Sequence, residues 1–401
     1  MRIKNIICTK IFDSRGEPTL EISLITNSGT VGTAQVPSGK SRGTGEASVV
    51  SFEHASRSAR AILNAMRRMN FSSPNSFDRF LIARDGTPDK RRLGGNFMLG
   101  CSLAFARAMA AERKQELWEL IEGFYFPERS IGPRKPRPMI FSNLINGGAH
   151  AATSLAIQEY IAVAKPIGTP QEMVSHIISL YREVGGFIKR RTGLKSLPLG
   201  DEGGYAVDFP DNGSPLELLA RSIKKLRLSG TFSLAIDAAA SEFFKKGKYY
   251  FEGKKLRATE MASVYASYLR RIPFLMSVED PCAENDPKGF GFVHARLPGV
   301  WIIGDDLTVT SAARIARYLD DGCITGAIIK PNQIGTLSET CAAIAAAQKR
   351  AAQVIISHRS GETGDTAIIH IAKACSAEAV KIGAPARERL LKFNEYIRLF
   401  S

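Results

Sequence analysis

Six short apolar runs in the C-terminal half of the chain each end on a side chain that can take part in catalysis. The closing residues are Asp237, Glu279, Asp305, Lys330, His358 and Lys381. They follow one another at intervals of 23 to 42 residues, and a parallel strand–helix–strand unit needs about 30 residues. Apolar strands that alternate with helical segments predict a parallel barrel, in which the strand C-termini gather at one mouth. The alternative is that each side chain is only a solvated strand end.

Three of these residues, Asp237, Glu279 and Asp305, offer carboxylates from successive strands. Three oxygen ligands leave half of an octahedron open, which suits Mg²⁺ with water or substrate in the remaining positions. Asp280 and Asp306 follow directly after two of the acids, and strand alternation alone does not decide which member of each pair faces the mouth. The other interpretation is that one or two of the acids form ordinary surface ion pairs.

Lys330 ends an apolar strand and is the candidate general base. A strand-end lysine is often simply exposed, but beside a metal and a second lysine, Lys381, its charged form is disfavoured. We therefore expect a neutral amine that accepts a proton.

Gly200–Gly204 is a tight turn with two acids, and Glu202 held there opposite a lysine would complete an acid–base pair. A plain acidic turn is the alternative.

Two further polar segments are typical of anion binding and loop closure. Ser357–Thr363 places a guanidinium and hydroxyls at a strand end, which suits a phosphate because arginine gives paired, charge-assisted hydrogen bonds. It does not have the spacing of a Walker-type loop. Ser38–Gly43 combines glycines with hydroxyls and predicts a mobile loop that closes on a ligand, with a surface loop of no function as the alternative.

Bulk composition restricts the class of protein. The chain has 401 residues, 44% of them hydrophobic, and a mean hydropathy of −0.08, which fits a soluble globular protein of two or three domains. No apolar run approaches the roughly 20 residues that span a bilayer. The six cysteines are scattered without metal-ligand spacing, which predicts reduced thiols and a cytoplasmic protein. The N-terminus is predicted to be a first strand and not a signal peptide.

The chain is strongly basic, with a net charge of +15. Such a charge attracts anionic substrates or holds nucleic acid loosely. The basic clusters are Arg67–Arg68, Lys90–Arg92, Arg134–Arg137, Lys189–Arg191 and Lys245–Lys248. Because they are dispersed and carry no nucleic-acid motif, a basic solubilising surface is the preferred interpretation, and nucleic-acid binding stays open without support from a motif.

The elements that must position these groups fall into two domains. Residues 1–125 predict an α+β domain, residues 126–137 a proline-rich linker, and residues 138–401 the barrel. The barrel is expected to begin with two strands, at 138–143 and 158–164, before its first helix. The predicted N-terminal strands cover residues 3–12, 19–27 and 30–37. The predicted N-terminal helices cover residues 46–69, 77–83 and 96–120.

Taken in order, the polar segments resemble those of the enolase family over essentially the whole chain. The matching segments are Asp13–Thr19, Ser38–Gly43, Asp85–Thr87, Leu93–Asn96, Asn146–His150, Gln158–Glu159, Gly200–Gly204, Asp237–Phe243, Ser277–Pro281, Gly304–Thr310, Lys330–Thr336, Ser357–Thr363 and Lys381–Arg387. Each is modestly specific, and their shared order carries the resemblance. It implies an α/β fold with a modified TIM-type (β/α)8 barrel of irregular start, preceded by a three-stranded meander and helices.

The resemblance also implies an activity, the Mg²⁺-dependent interconversion of 2-phosphoglycerate and phosphoenolpyruvate in glycolysis and gluconeogenesis. It implies two Mg²⁺ per active site, with Asp237, Glu279 and Asp305 on the first. The second would bind with substrate, held against the phosphate by Ser41 on the closing loop. A homodimer or higher homo-oligomer is the expected assembly.

The resemblance assigns roles to the remaining polar groups. Lys330 would remove the C2 proton while Lys381 helps to stabilise the negative charge that develops. Glu202 would protonate the departing C3 hydroxyl, supported by Glu159. The residues implied to contact substrate are Ser41, His150, Gln158, Glu159, Lys330, His358, Arg359, Ser360 and Lys381.

Some positions depart from the family pattern. In the closing loop Lys40 and Arg42 replace small residues, and Gly45 stands where a histidine is usual. We expect the loop still to close, with extra positive charge near the phosphate. In the family, the arginine that matches Arg15 usually pairs with an acid near the end of the partner chain. The end of this sequence lacks that acid, which predicts a weaker dimer interface.

Two alternatives to an active enolase remain. An acid-sugar dehydratase would share the metal carboxylates, but not the Gly200–Gly204 and Ser357–Thr363 segments together. The other is a catalytically weak or silent enolase-like protein whose basic surface binds RNA or another anionic partner. Loss of Lys330 or Glu202 would have favoured that function, and both residues are present.

Overall fold

The N-terminal part of the chain is a three-stranded meander covered by helices. The computed structural model describes residues 1–40, 43–130 and 136–401. The antiparallel strands lie in the order β1 Ile3–Phe12, β2 Pro18–Thr26 and β3 Val31–Gln35. The helices are α1 Phe52–Met66, α2 Pro74–Asp85, α3 Gly95–Glu112 and α4 Leu117–Tyr125. Helix α3 is buried on almost every side because it packs between this sheet and the barrel.

The helix boundaries predicted from the sequence differ from the structure, most of all for the first and third predicted helices. The first helix begins at Phe52, after the N-cap Ser51, and not at residue 46. The preceding backbone pairs with other segments, since Ala47 N donates to the carbonyl of Gln333. The third predicted helix is two helices, interrupted where Lys114 takes a left-handed φ of 56°. A run of charged residues there cannot follow the apolar path of α3 into the core.

A closed barrel of eight strands follows within the described residues. Its first strands are β4 Met139–Asn146, β5 Glu159–Ala164 and β6 Phe232–Asp237. A small separate sheet comes next, with β7 Phe244–Lys245, β8 Lys248–Phe251 and β9 Lys254–Leu256. The barrel continues through β10 Leu275–Glu279, β11 Trp301–Gly304, β12 Gly326–Ile329, β13 Gln353–Ser357 and β14 Ala379–Ile382. Strand β14 closes the barrel on β4.

The start of the barrel is irregular, as the sequence predicted. Strand β5 runs antiparallel to both β4 and β6, whereas the other neighbouring strands are parallel. The barrel helices are α5 Pro170–Thr192, α6 Ser214–Lys225, α7 Ala258–Arg271, α8 Pro287–Arg296, α9 Ala312–Asp320, α10 Pro331–Ile334, α11 Leu337–Gln348, α12 Ala367–Cys375 and α13 Leu390–Phe400. No helix among the residues described has both the length and the apolar character to cross a membrane.

Apolar side chains fill the barrel and force its polar residues to one end. The interior is packed with Phe141, Ile161, Val163, Ala235, Ile303, Ile328, Ile355 and Ala379. Burying each of the larger side chains contributes about 1.5–3 kcal/mol. Strands buried on both faces leave polar residues room only at their ends, so the carboxyl ends form a polar mouth.

Candidate active site

The mouth of the barrel brings together the acids, lysines and histidines that the sequence singled out. Asp237 and Glu279 are paired directly across β6 and β10, and Asp305 follows the last residue of β11. One pocket there is lined by most of the predicted site residues. They are His150, Gln158, Glu159, Glu202, Asp237, Asp305, Lys330, His358, Arg359, Ser360 and Lys381. Ser41 lies outside the described residues.

Lys381 compensates the charge on one side of the mouth. Its Nζ lies 2.8 Å from Glu279 Oε2, 3.0 Å from Glu159 Oε2 and 3.4 Å from Asp237 Oδ2, and all four side chains are buried. Burial disfavours the ammonium, but the surrounding carboxylates outweigh burial and raise the pKa of Lys381. This lysine is therefore a fixed positive charge at the mouth.

Lys330 is paired with Asp305, in a contact between Nζ and Oδ2. Burial disfavours its ammonium, but the attraction of Asp305 outweighs burial and raises the pKa of Lys330. The expectation that a neighbouring metal disfavours the charged form of Lys330 stays a prediction. A lysine beside an ionised carboxylate stays protonated until the charge around that carboxylate changes.

The mouth carries more acids than cations. Six carboxylates line the pocket, against three cationic side chains, Lys330, Arg359 and Lys381. Burial raises the pKa of Glu279, and repulsion from Asp237 raises it further. Such crowding of buried acids is unfavourable without a compensating cation. The excess of acids suits a divalent cation such as Mg²⁺. Of the predicted ligands Asp237, Glu279 and Asp305, only Asp305 belongs to a described group of acids whose oxygens lie within 4.8 Å of one another.

A second acidic group lies at the same edge. Asp280, Asp305 and Asp306 each offer a carboxylate oxygen within 4.8 Å of the others. The oxygens of Asp280 already accept backbone hydrogen bonds, from Asp305 N at 2.9 Å and from Asp306 N at 2.8 Å. Strand alternation left open whether Glu279 or Asp280 faces the mouth. The structure gives them different environments, because Asp280 accepts backbone hydrogen bonds whereas Glu279 contacts Lys381.

Glu202 lies on the opposite wall, among histidines. Its Oε1 is 3.7 Å from His150 Nδ1, and its Oε2 is 3.5 Å from His358 Nε2 and accepts from Asn143 Nδ2 at 2.9 Å. Glu159 offers an oxygen within 4.8 Å of Glu202 and His150. Burial raises the pKa of Glu159, and repulsion from Glu202 raises it further. Burial opposes ionisation of Glu202, but His358 and His150 outweigh it and lower the pKa of Glu202. Of the two acids, Glu159 therefore holds a proton more readily than Glu202.

The predicted phosphate segment lies where the N-terminal domain meets the mouth. Arg359 is 4% exposed and pairs with Glu46, with Nη1 at 3.2 Å from Oε2. Ser360 Oγ accepts from the backbone N–H of Lys40 at 3.1 Å. The Lys40 ammonium lies 3.1 Å from Asp201 Oδ2, so the extra charge of this loop faces the turn that carries Glu202.

Sequence reasoning missed polar residues that hold the site together. Glu46 contacts both Arg359 and Gln333, and Gln333 Nε2 also donates to Asp305 Oδ1 at 3.0 Å. Asn332 Oδ1 accepts from Arg359 Nη1 at 2.9 Å. No local pattern marks Glu46, which precedes a helix and meets partners almost 290 residues or more along the chain. Asn332 and Gln333 could have been found from their places just after Lys330.

Comparison with known proteins agrees with this geometry. The family model described as "Enolase, N-terminal domain" matches residues 3–121. That described as "Enolase, C-terminal TIM barrel domain" matches residues 135–400. A curated relative, "Enolase" of Methanocaldococcus jannaschii, is 37% identical over 409 aligned positions, covering 99% of this chain and 94% of that protein. The chain therefore belongs to the enolase family and is a lyase, a phosphopyruvate hydratase.

Proposed function

We propose that this protein catalyses the reversible, Mg²⁺-dependent dehydration of 2-phosphoglycerate to phosphoenolpyruvate, as a step of glycolysis and gluconeogenesis. One observation carries the proposal. Lys330 and Glu202 line the same pocket, and Lys330 is paired with the carboxylate of Asp305. A base and an acid in one pocket are what removal of a C2 proton and loss of a C3 hydroxyl require.

The base is Lys330. Its Nζ would take the C2 proton, and Lys381 would stabilise the negative charge that develops on the substrate carboxylate. Asp305 raises the pKa of Lys330. The amine of Lys330 would therefore lose its proton only when the charge around Asp305 changes. The residues that would hold the first Mg²⁺ are Asp237, Glu279 and Asp305, and bound Mg²⁺ would supply positive charge that acidifies the C2 hydrogen.

The acid is Glu202, with Glu159 as its proton reserve. Burial and repulsion from Glu202 raise the pKa of Glu159, so Glu159 would supply a proton to Glu202 as the C3 hydroxyl departs. His150, Gln158 and His358 would line the substrate between these acids and Lys330. Their burial excludes water from the reacting atoms and strengthens each electrostatic contact.

The phosphate would bind at Arg359 and Ser360. Arg359 is buried and aligned by Glu46 and Asn332, so its guanidinium is oriented before substrate arrives. We propose that Ser41 holds a second Mg²⁺, which enters with substrate. The extra cation of Lys40 next to Asp201 would favour an anionic ligand.

The direct test mixes purified protein with 2-phosphoglycerate and Mg²⁺ and follows ultraviolet absorbance. Phosphoenolpyruvate formation should raise the absorbance, and EDTA should abolish the rise. Lys330→Ala should lower kcat by several orders of magnitude, whereas Lys349→Ala, at an exposed position, should leave it unchanged. A wild-type protein that produces no phosphoenolpyruvate with Mg²⁺ present would overturn the proposal.

We further propose domains at 1–125 and 138–401 with a linker at 126–137, of which residues 131–135 lie outside the described part of the chain. The two family-model matches, which end at 121 and begin at 135, support this division.

Six cysteines without disulfides support a reducing, cytoplasmic setting. A homodimer or higher homo-oligomer is proposed because β1 exposes Ile7 and Phe12, and light scattering after gel filtration tests it.

A further inference from the structure

Asp280 stands at the end of β10, directly after Glu279, in a backbone conformation that L-residues rarely adopt. Its φ is +38°, and the residue is 5% exposed. A left-handed conformation costs a non-glycine residue about 1–2 kcal/mol. Such strain persists only where surrounding contacts hold it, and it concentrates at functional sites. The contacts of Asp280 therefore indicate what this turn is for.

Those contacts join the ends of two neighbouring strands. Asp280 Oδ1 accepts from Asp305 N at 2.9 Å, and Oδ2 accepts from Asp306 N at 2.8 Å. The backbone N–H of Asp280 donates to the carbonyl of Ile303 at 2.9 Å. Bonds from N–H groups to a carboxylate are roughly twice as strong as bonds between neutral groups. One side chain thus fixes two consecutive backbone amides.

The sheet itself provides no such support at this point. The paired positions of β10 and β11 end at Glu279 and Ile303, and those of β11 and β12 end at Gly304 and Ala327. Asp305 lies one residue beyond, where its N–H has no strand partner. A metal ligand outside the ladder would otherwise sample several backbone conformations.

We propose that Asp280 is a positioning residue for the metal centre, an inference that rests on the proposed function. It holds the backbone of Asp305 while two other residues hold the Asp305 carboxylate. Gln333 Nε2 donates to Oδ1 at 3.0 Å, and Lys330 Nζ contacts Oδ2. Each oxygen of Asp280 already accepts from an amide, and Asp280 also lies within 4.8 Å of the neighbouring acids; we assign it the positioning role because its two bonds hold the backbone of Asp305 and Asp306.

The test is Mg²⁺ binding to the full-length protein by isothermal titration calorimetry without substrate, beside kcat and KM. In Asp280→Asn one amide loses its acceptor because a carboxamide has a single acceptor oxygen. We expect the affinity for Mg²⁺ to fall about 10- to 100-fold, and kcat to fall as well. The KM for 2-phosphoglycerate, measured at saturating Mg²⁺, should change less than the affinity for Mg²⁺. Asp280→Gly is the second variant, since glycine adopts this φ without strain. It should be stably folded and yet weak in Mg²⁺ binding.

The matched control is Asp286→Asn on the same loop. Asp286 caps α8, accepting from Gly289 N at 3.1 Å and from the Tyr249 hydroxyl at 2.8 Å, and does not line the pocket. It should lower the metal-free Tm and leave Mg²⁺ affinity unchanged. The inference is overturned if both Asp280 variants bind Mg²⁺ within twofold of wild type, or if Asp286→Asn weakens binding equally. A wild-type protein that binds no Mg²⁺ would instead overturn the proposed function, and this inference with it.

Discussion

At the scale of single residues, the groups proposed for the two proton transfers lie on two walls of the candidate site. Lys330 lies with Asp305 on one wall, and Glu202 lies with Glu159 and two histidines on the other. Lys381 contacts Glu159 as well as Asp237 and Glu279, but Glu202 is not a partner in the pair of Lys330 with Asp305, so a substitution of Glu202 leaves that pair in place. The two proton transfers should therefore be separable by mutation.

Isotope exchange checks this separation. In D₂O, Glu202→Gln should still exchange the C2 hydrogen of 2-phosphoglycerate for deuterium, because Lys330 remains. It should produce phosphoenolpyruvate at least about 100-fold more slowly, the usual contribution of a general acid. Lys330→Ala should lose exchange and product together. Proton NMR measures exchange, and loss of exchange in Glu202→Gln would contradict the assignment of the base.

Lys40 stands where the resemblance to the enolase family leads us to expect a small residue. Its ammonium is half-exposed beside Asp201, and an exposed pair contributes at most about 1 kcal/mol. Lys40→Ala should therefore raise KM for 2-phosphoglycerate by no more than about fivefold, less at high salt because ions screen the charge. Lys254→Ala, at an exposed lysine in β9, is the control. Identical KM values and salt dependence in wild type and Lys40→Ala would refute a role for this charge.

At the scale of elements, strand ends were predictable and helix ends were not. Apolar runs closed by Asp237, Glu279 and Lys330 are visible in the sequence because a strand buried on both faces permits a polar residue only at its end. The break after α3 and the late start of α1 depend on long-range contacts, such as Ala47 with Gln333. Within the site, the sequence predicted which acids lie at the mouth, because they end strands. It did not predict that Lys330 pairs with Asp305, because that contact depends on how two strand ends meet in the fold.

Helix α11 is capped by residues of the N-terminal domain. Leu337 N donates to Ser102 Oγ and Ser338 N to Asp78 Oδ2, each at 2.9 Å. Asp78 is fully buried, and burial raises its pKa to about 6. The other titratable groups around it are Cys101, Tyr125, Glu339 and Cys341. A buried acid without a cation opposite destabilises the fold once it ionises.

The resulting pH dependence has a definite sign. Because the folded pKa exceeds the unfolded value, the folded state binds the extra proton, and stability falls as pH rises from about 4 to about 6. Asp78→Asn keeps an acceptor for Ser338 and removes the charge. It should stabilise the protein by up to about 3 kcal/mol at pH 8 and by almost nothing at pH 4. Denaturant unfolding at both pH values measures this, and a gain independent of pH would exclude ionisation as the cause.

At the scale of the whole molecule, the site exists only where the two proposed domains meet. Glu46 aligns Arg359, and Ser38 pairs with Gly361 as an isolated bridge. A further link joins Arg107 of α3 to Asp365, which follows the phosphate segment. Its two hydrogen bonds measure 2.6 and 2.7 Å, and the aspartate side chain is 7% exposed. The junction that orders the substrate groups is therefore also one that stabilises the fold.

Breaking this pair should be costly because it leaves the half-buried Arg107 without its counter-ion. Asp365→Asn should lower the free energy of unfolding by about 3–5 kcal/mol at neutral pH and raise KM for 2-phosphoglycerate. Burial opposes ionisation of Asp365, but Arg107 outweighs it and lowers the pKa of Asp365 to about 2. The stability that this group contributes is thus complete above about pH 4 and is lost as pH falls through about 2.

Asp320→Asn is the matched control, since Asp320 and Arg350 form a similar two-bond pair at 2.7 and 2.8 Å on the surface. Screening by solvent leaves that pair with little effect on stability, and neither residue lines the pocket at the mouth. Denaturant unfolding and KM should therefore respond to Asp365→Asn and scarcely to Asp320→Asn. Equal losses of stability in the two variants would mean that burial at the domain junction adds nothing to this ion pair.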